Sequence, residues 1–189
     1  LSAYSGALTM APEPRTILFL GRHEPRKGLS VLLDAMGELP AGVRLVVAGE
    51  GPETEELRRR VAGDTRIEWL GRISEAEKIQ RLRTSDVFCA PSLGGESFGV
   101  VLLEAMAART AVVASDLPGY ANVARADRDA VLVPPGDSHA LAGALRSILD
   151  DSSLRSSLVV SGAERAQGFS MDSLAERYEA IFERVAIRR

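Results

Sequence analysis

Glu96 and Glu104 stand in a stretch where carboxylates are costly. Gly94, Gly95 and Gly99 surround the first; Val100, Val101, Leu102, Leu103, Ala105, Met106, Ala107 and Ala108 surround the second. Residues 100–108 predict a helix apolar on nearly every side, and such a helix is normally buried. A buried charge needs a partner, so Glu104 predicts a polar group or ligand beside it. The glycines let backbone approach a ligand, and the N–H groups near Phe98 and Gly99 would face outward at the helix start. Those are phosphate-binding features. A carboxylate at position 96 suits sugar hydroxyls better than phosphates. Without a ligand, Gly94 and Gly95 would form a plain turn and Glu96 an exposed cap, but Glu104 counts against that reading.

A second group is Arg22, His23, Glu24, Pro25, Arg26 and Lys27, between Gly21 and Gly28. Arginine grips a phosphate with two parallel hydrogen bonds, while lysine acts as a point charge. The same residues also fit a solvated charged loop in which Glu24 neutralises one base. Lys78 reads as a surface residue that matters only beside a bound base. His23 and His139 suit structural or solvated roles better than catalysis, and Cys89 suits an inert core position. No His, Cys and Asp cluster has metal-ligand spacing, so no metal is expected. No Ser–His–Asp or Cys–His set is visible.

The elements that must position these groups are legible. Short apolar runs at 16–20, 44–49, 67–70, 86–90, 111–115 and 130–133 predict buried strands. Helical patterns fall at 29–39, 53–62, 74–83, about 120–126, 137–150 and 153–167, with a further one at 171–185. Ser74 with Glu77 predicts a capping box and Asp137 an N-cap. Strands alternating with helices imply α/β architecture: a Rossmann-like, doubly wound, six-stranded parallel sheet. Ligands bind such sheets beyond the carboxyl ends of the strands, where both candidate groups fall. Neither a Gly-x-Gly-x-x-Gly dinucleotide fingerprint nor a P-loop follows the first strand.

Composition bounds the rest. With 23 basic and 26 acidic residues the net charge is -3, which argues against general nucleic-acid binding. The single cysteine excludes an internal disulfide and fits a reducing compartment. No signal peptide or membrane-spanning run is visible, which leaves peripheral membrane contact open. Residues 1–15, with Pro12 and Pro14, read as a linker or edge segment, residues 16–170 as one domain, and residues 171–189 as an amphipathic C-terminal helix. Beginning at Leu1, the chain reads as a piece of a larger protein.

Glu96-Ser97-Phe98-Gly99 running on to Glu104-Ala105 is a Glu-x7-Glu motif. It resembles the signature of retaining glycosyltransferases of the GT-B fold, family 4. The Gly21-Arg22…Lys27-Gly28 loop, the strand and turn at 44–52, the turn at 69–74 and the strand at 86–92 match that family in order. The resemblance spans about residues 16–150 and implies the C-terminal, nucleotide-sugar-binding half of a two-domain enzyme. Residues 24–28, 93–99 and 113–117 look most like the phosphatidylinositol mannosyltransferases of actinobacteria, which use GDP-mannose at the inner face of the plasma membrane. By that resemblance Arg22 and Lys27 hold the diphosphate, Glu104 binds the ribose, and Ile73 and Lys78 border the base. Glu96 holds the transferred sugar, helped by N–H groups at Ser97, Phe98 and Gly99.

The sequence also departs from the family. Arg109, Thr110 and Ala111 replace a common Gly-Pro after the motif helix, and the loop after the first strand is one residue short. Residues 116–120 lack the wider family's Gly-Gly-x-x-Glu, which favours the mannosyltransferase branch.

The implied reaction moves a hexose, with mannose from GDP-mannose the expected donor, to phosphatidylinositol or another acceptor with retention of configuration. No cofactor or metal is implied, since two cations serve the diphosphate. The acceptor site would belong to an N-terminal domain toward which residues 171–189 would reach. The chain alone would bind nucleotide weakly and transfer nothing. Cytoplasmic location, at the inner membrane face, follows from the same resemblance. Three alternatives stand beside it: a family 4 transferase using a UDP- or ADP-sugar, a sugar-nucleotide epimerase, and a non-catalytic binding module. Intact Arg22, Lys27, Glu96 and Glu104 argue against the last.

Overall fold

A computed structural model describes residues 15–169 of the chain. The predicted linker over 1–14 and the helix over 171–185 lie outside the described residues. Arg15, assigned above to the linker, opens the first strand instead.

Six strands form a single parallel sheet: β1 (Arg15–Leu20), β2 (Val43–Ala48), β3 (Ile67–Gly71), β4 (Val87–Ala90), β5 (Ala111–Ser115) and β6 (Val131–Val133). Their order is β3-β2-β1-β4-β5-β6, the doubly wound arrangement expected from the alternation of elements. The helices between and after them are α1 (Leu29–Met36), α2 (Thr54–Arg60), α3 (Glu75–Thr84), α4 (Val100–Ala107), α5 (Pro118–Ala121), α6 (Ser138–Asp150) and α7 (Ser152–Gln167).

The strands read as continuous apolar runs because both faces are covered, with successive side chains entering opposite cores. Ile17 and Phe19 pack with α1 and α6 in one core, while Leu18 packs with α4 and α5 in the other. Polar side chains mark the helix starts. Ser74 accepts a hydrogen bond from the Glu77 N–H at 3.2 Å, and Asp137 from the Ala140 N–H at 2.8 Å.

Two elements differ from expectation. The helix expected near 120–126 is α5, starting at Pro118, whose ring fixes φ for a first helical turn. The helix expected to be buried all round, α4, buries only Leu102, Ala105 and Met106. Its other side opens on a groove of about 440 Å³ toward α7, and Val100 is 58% exposed there. Composition showed that this helix was apolar, but only its neighbours decide which side they cover.

The end of α4 carries local strain. Thr110 N–H bonds the Ala105 carbonyl and Arg109 N–H bonds the Met106 carbonyl, the paired closure of a Schellman motif. Arg109 occupies its left-handed position with φ 64°, where glycine is usual and a side chain is strained. Arg109→Gly should therefore raise unfolding free energy by about 1 kcal/mol. Urea unfolding with an unchanged slope would measure it, and an equal or lower midpoint would contradict the strain argument.

Candidate functional site

The carboxyl ends of β1, β2 and β3 open on a cleft of about 800 Å³. Arg22, Ile73 and Lys78 line it as predicted, together with Gly21, Gly49, Glu50, Gly51, Arg72, Ser74 and Glu75. Short glycine-bearing turns close each strand here and leave the space open. Arg22 reaches into solvent, its side chain 72% exposed and 4.0 Å from Glu24.

Lys78 is more than a surface residue. Its Nζ bonds Glu104 at 2.8 Å and Glu75 at 2.9 Å, and its side chain is largely covered. Burial opposes its charge, but the hydrogen bonds to Glu104 and Glu75 outweigh that and hold its pKa above the usual lysine value. Glu104 is then not the buried carboxylate expected from the sequence. Its side chain is 36% exposed and its charge is met by a lysine of another helix. The open side of α4 supplies the room that the sequence did not reveal.

The second cluster lies beside the first. Pro25–Lys27 forms a 3-10 turn ending at Gly28, whose φ is 66°. A Cβ at Gly28 would stand 1.9 Å from the Pro91 carbonyl oxygen, so only glycine seats this turn on the backbone after β4. The Leu93 N–H closes the seat by donating to the Arg26 carbonyl at 2.7 Å. Lys27 thereby reaches Glu96, 69 residues away, with Nζ 2.5 Å from Oε1. Ser92 Oγ donates to the same oxygen at 3.0 Å, and Arg26 approaches it at 3.5 Å while bonding Glu24 at 2.6 Å. Glu96 is nearly buried, so it is not the exposed cap of the ligand-free reading.

Ser97 and Phe98 follow on the exposed rim, and Gly99 begins α4 in the left-handed region. Phe98 meets Phe169 edge to face, with ring centroids 5.8 Å apart. The N–H groups of Ser97, Phe98 and Gly99 donate to no partner among the described residues, which leaves them available to an anion. These three residues and Glu96 border the Lys27 cluster rather than the 800 Å³ cleft. The predicted residues thus fall into two adjoining groups. Arg22, Ile73 and Lys78 line the cleft, with Glu104 joined to them through Lys78. Lys27 and Glu96 form the other group, with residues 97–99.

Sequence reasoning missed Ser92, Glu75 and Tyr120. Ser92 lay inside the matched strand segment, but its partner could not be read there. Cys89 is fully buried in β4, and burial pushes its thiol pKa up, in keeping with an inert core role. His139 is exposed, with Nδ1 2.8 Å from Glu38. His23 is buried, and its Nδ1 lies 2.8 Å from Thr54 Oγ1. Its backbone joins the loops after β1 and β2 through bonds to Glu50 and Glu53. Among the described residues no group of three His, Cys, Asp or Glu side chains is placed to hold a metal, and no helix is long and apolar enough to cross a membrane.

A family model described as glycosyl transferases group 1 matches residues 14–151. A phosphatidyl-myo-inositol mannosyltransferase of Mycobacterium leprae (strain TN) is 45% identical over 98% of this chain and 52% of its own length. The chain therefore spans about half the length of this curated relative. A sucrose-phosphate synthase structure from Thermosynechococcus elongatus superposes with TM-score 0.81 at 28% identity, over 96% of this chain and 48% of that one. The Anabaena Alr3699/HepE structure with UDP has TM-score 0.81 at 22% identity, over 90% and 49% of the two chains, and shares the fold.

The buried His23 makes the loops framing the cleft sensitive to pH. Burial, and then the nearby Arg58 charge, lower its pKa below the ordinary 6.5, while Glu50 opposes them. As pH falls through 6.5 the unfolded chain takes up this proton before the folded one, so stability is lost on the acid side and is fully present above it. Thermal unfolding should show a lower midpoint at about pH 5.5 than at about pH 7.5, with a smaller difference in His23→Gln. An equal difference in the variant would remove His23 as the cause.

Proposed function

The chain belongs to the group 1 glycosyltransferases, and from that premise we propose that it is the donor-binding half of a retaining hexosyltransferase. The observation that carries the reading is that one loop serves two groups: Arg22 lines a cleft of about 800 Å³, and Lys27 on the same loop pairs with Glu96. The base would lie against Ile73, with Lys78 at its edge, and Glu104 would accept hydrogen bonds from the ribose hydroxyls. The diphosphate would lie between Arg22, Lys27 and the N–H groups at residues 97–99. Arg26 adds a further cation on the same turn. Glu96 would then hold hydroxyls of the transferred hexose.

This arrangement has a chemical consequence. As the bond from the sugar to the diphosphate breaks, negative charge grows on the departing phosphate. Fixed cations and N–H groups aimed at that position lower the barrier because they need no rearrangement when the charge appears. Lys27 has three ammonium protons, so it can bond Glu96 and still donate to phosphate. Glu96 acts in this reading by orienting the sugar rather than by attacking it.

Mannose as the sugar and phosphatidylinositol as the acceptor are the favoured assignment, supported by the mycobacterial relative's name and by its identity, and GDP as the nucleotide is carried over from the resemblance of residues 24–28, 93–99 and 113–117. The acceptor site and the remaining catalytic groups would lie in a partner domain of the same polypeptide, working at the cytoplasmic face of the membrane. The isolated chain would then transfer nothing.

Calorimetry with GDP, UDP and ADP, each with and without its sugar, tests the reading. GDP and GDP-mannose should bind best. Glu104→Ala should weaken GDP binding by about tenfold, the loss of a hydrogen bond to a charged group. Glu96→Ala should leave GDP binding nearly unchanged and chiefly reduce transfer in the full-length enzyme. Equal weakening of GDP binding by both changes would break this division of labour. No binding of any nucleotide would favour an inert module.

A further inference from the structure

A second layer lies behind Glu96. Ser92, two residues after β4, is 2% exposed, and Tyr120, on α5, is 1% exposed. The Ser92 and Tyr120 hydroxyl oxygens are 2.9 Å apart, and Ser92 Oγ is 3.0 Å from Glu96 Oε1. A carboxylate paired with a lysine accepts hydrogen bonds and does not donate them, so Ser92 must spend its one proton on Glu96. The proton between the two hydroxyls then comes from Tyr120. Burial, reinforced by the Glu96 charge against the opposing Ser92 bond, pushes the tyrosine pKa up to about 12, which keeps that donor protonated at neutral pH.

We propose that Tyr120 and Ser92 are positioning residues, a one-way hydrogen-bond relay that fixes which oxygen of Glu96 is presented to the transferred sugar. The inference rests on the sugar-holding role of Glu96 proposed above. The terminal torsion of a glutamate is broad, so its two oxygens exchange places unless something distinguishes them. An ammonium group is a compact point charge and sets no carboxylate plane. Lys27 therefore anchors the charge, while Ser92 selects Oε1. Lys27, Ser92 and Arg26 all converge on Oε1, and Oε2 receives no hydrogen bond among the described residues. Oε2 is the oxygen left for a sugar hydroxyl.

The fold holds the relay in place from behind. A Cβ at Gly119 would stand 1.9 Å from the Glu96 carbonyl oxygen, so α5 lies directly against the backbone that carries the carboxylate. The Tyr120 ring also fills the space beside Gly99, at the start of α4. Tyr120→Phe keeps that ring and removes only the relay's first donor.

The test is mannose transfer from GDP-mannose to phosphatidylinositol vesicles by the full-length enzyme containing this chain, with GDP calorimetry as the check on folding. Ser92→Ala should lower kcat by about tenfold, one hydrogen bond's effect on a charged group, and Tyr120→Phe, which removes a bond between neutral hydroxyls, by about fivefold, with GDP affinity unchanged. Ser92→Thr, which keeps a hydroxyl, should recover most of the loss. In a Glu96→Ala background both changes should have little further effect, because the side chain they orient is gone. Wild-type kcat in Tyr120→Phe, or equal losses in the presence and absence of Glu96, would overturn the relay while leaving the sugar-holding role intact. Wild-type transfer by Glu96→Ala would overturn that role, and the relay with it.

Discussion

The site depends on the contact between Lys27 and Glu96. The two residues come from turns that leave adjacent strands, β1 and β4, in opposite directions. After β1 the chain crosses to the face covered by α1, and after β4 to the face covered by α4. The two turns meet at the carboxyl end of the sheet before they part, at the switch point of a doubly wound fold. The ion pair joins them there. Gly28 makes the pair possible by letting one turn rest on the carbonyl of Pro91.

Charge is arranged around this contact in pairs. Lys27 meets Glu96, Lys78 meets Glu104, Arg72 meets Glu50 and Arg26 meets Glu24. In the more covered of these pairs, hydrogen bonds at close range offset the cost of taking charge out of water. Exposed pairs such as Arg72 with Glu50 contribute little to stability, and their side chains can exchange partners at small cost. A polyanionic ligand entering here would meet cations already oriented, while oxygens of the carboxylates would accept hydrogen bonds from hydroxyls. That division of cations and carboxylates suits a sugar joined to a diphosphate better than either part alone.

Two segments that the sequence reading set apart from the family pattern have local physical effects in the structure. Arg109 stands in a left-handed position that favours glycine and leaves α4 closing under strain. The short helix Pro118–Ala121, which overlaps the segment 116–120 read as departing from the family pattern, brings Tyr120 behind Ser92. The back of the site is thus built by a segment that lies at the ligand edge of the sheet but to whose Tyr120 the sequence assigned no role.

Much of the fold was legible in the sequence because its signals are local. Apolar runs of four to six residues marked every strand, and β5 was read to its ends, since a strand covered on both faces must be apolar throughout. Glu96, Glu104, Lys27 and Arg22 were recognisable by type and spacing near the strand ends. Their partners were not. Lys78 and Glu104 are 26 residues apart, and Ser92 and Tyr120 are 28 apart, so neither meeting leaves a periodic trace. The open side of α4 was hidden for the same reason: an apolar helix does not say which of its sides a neighbour will cover. The sequence by itself determined the order of strands and helices and the chemical groups at the sheet's edge. Tertiary structure alone decided which groups touch, because strand order and crossover direction bring distant turns together, and hydrogen bonds act only over the few ångströms that remain.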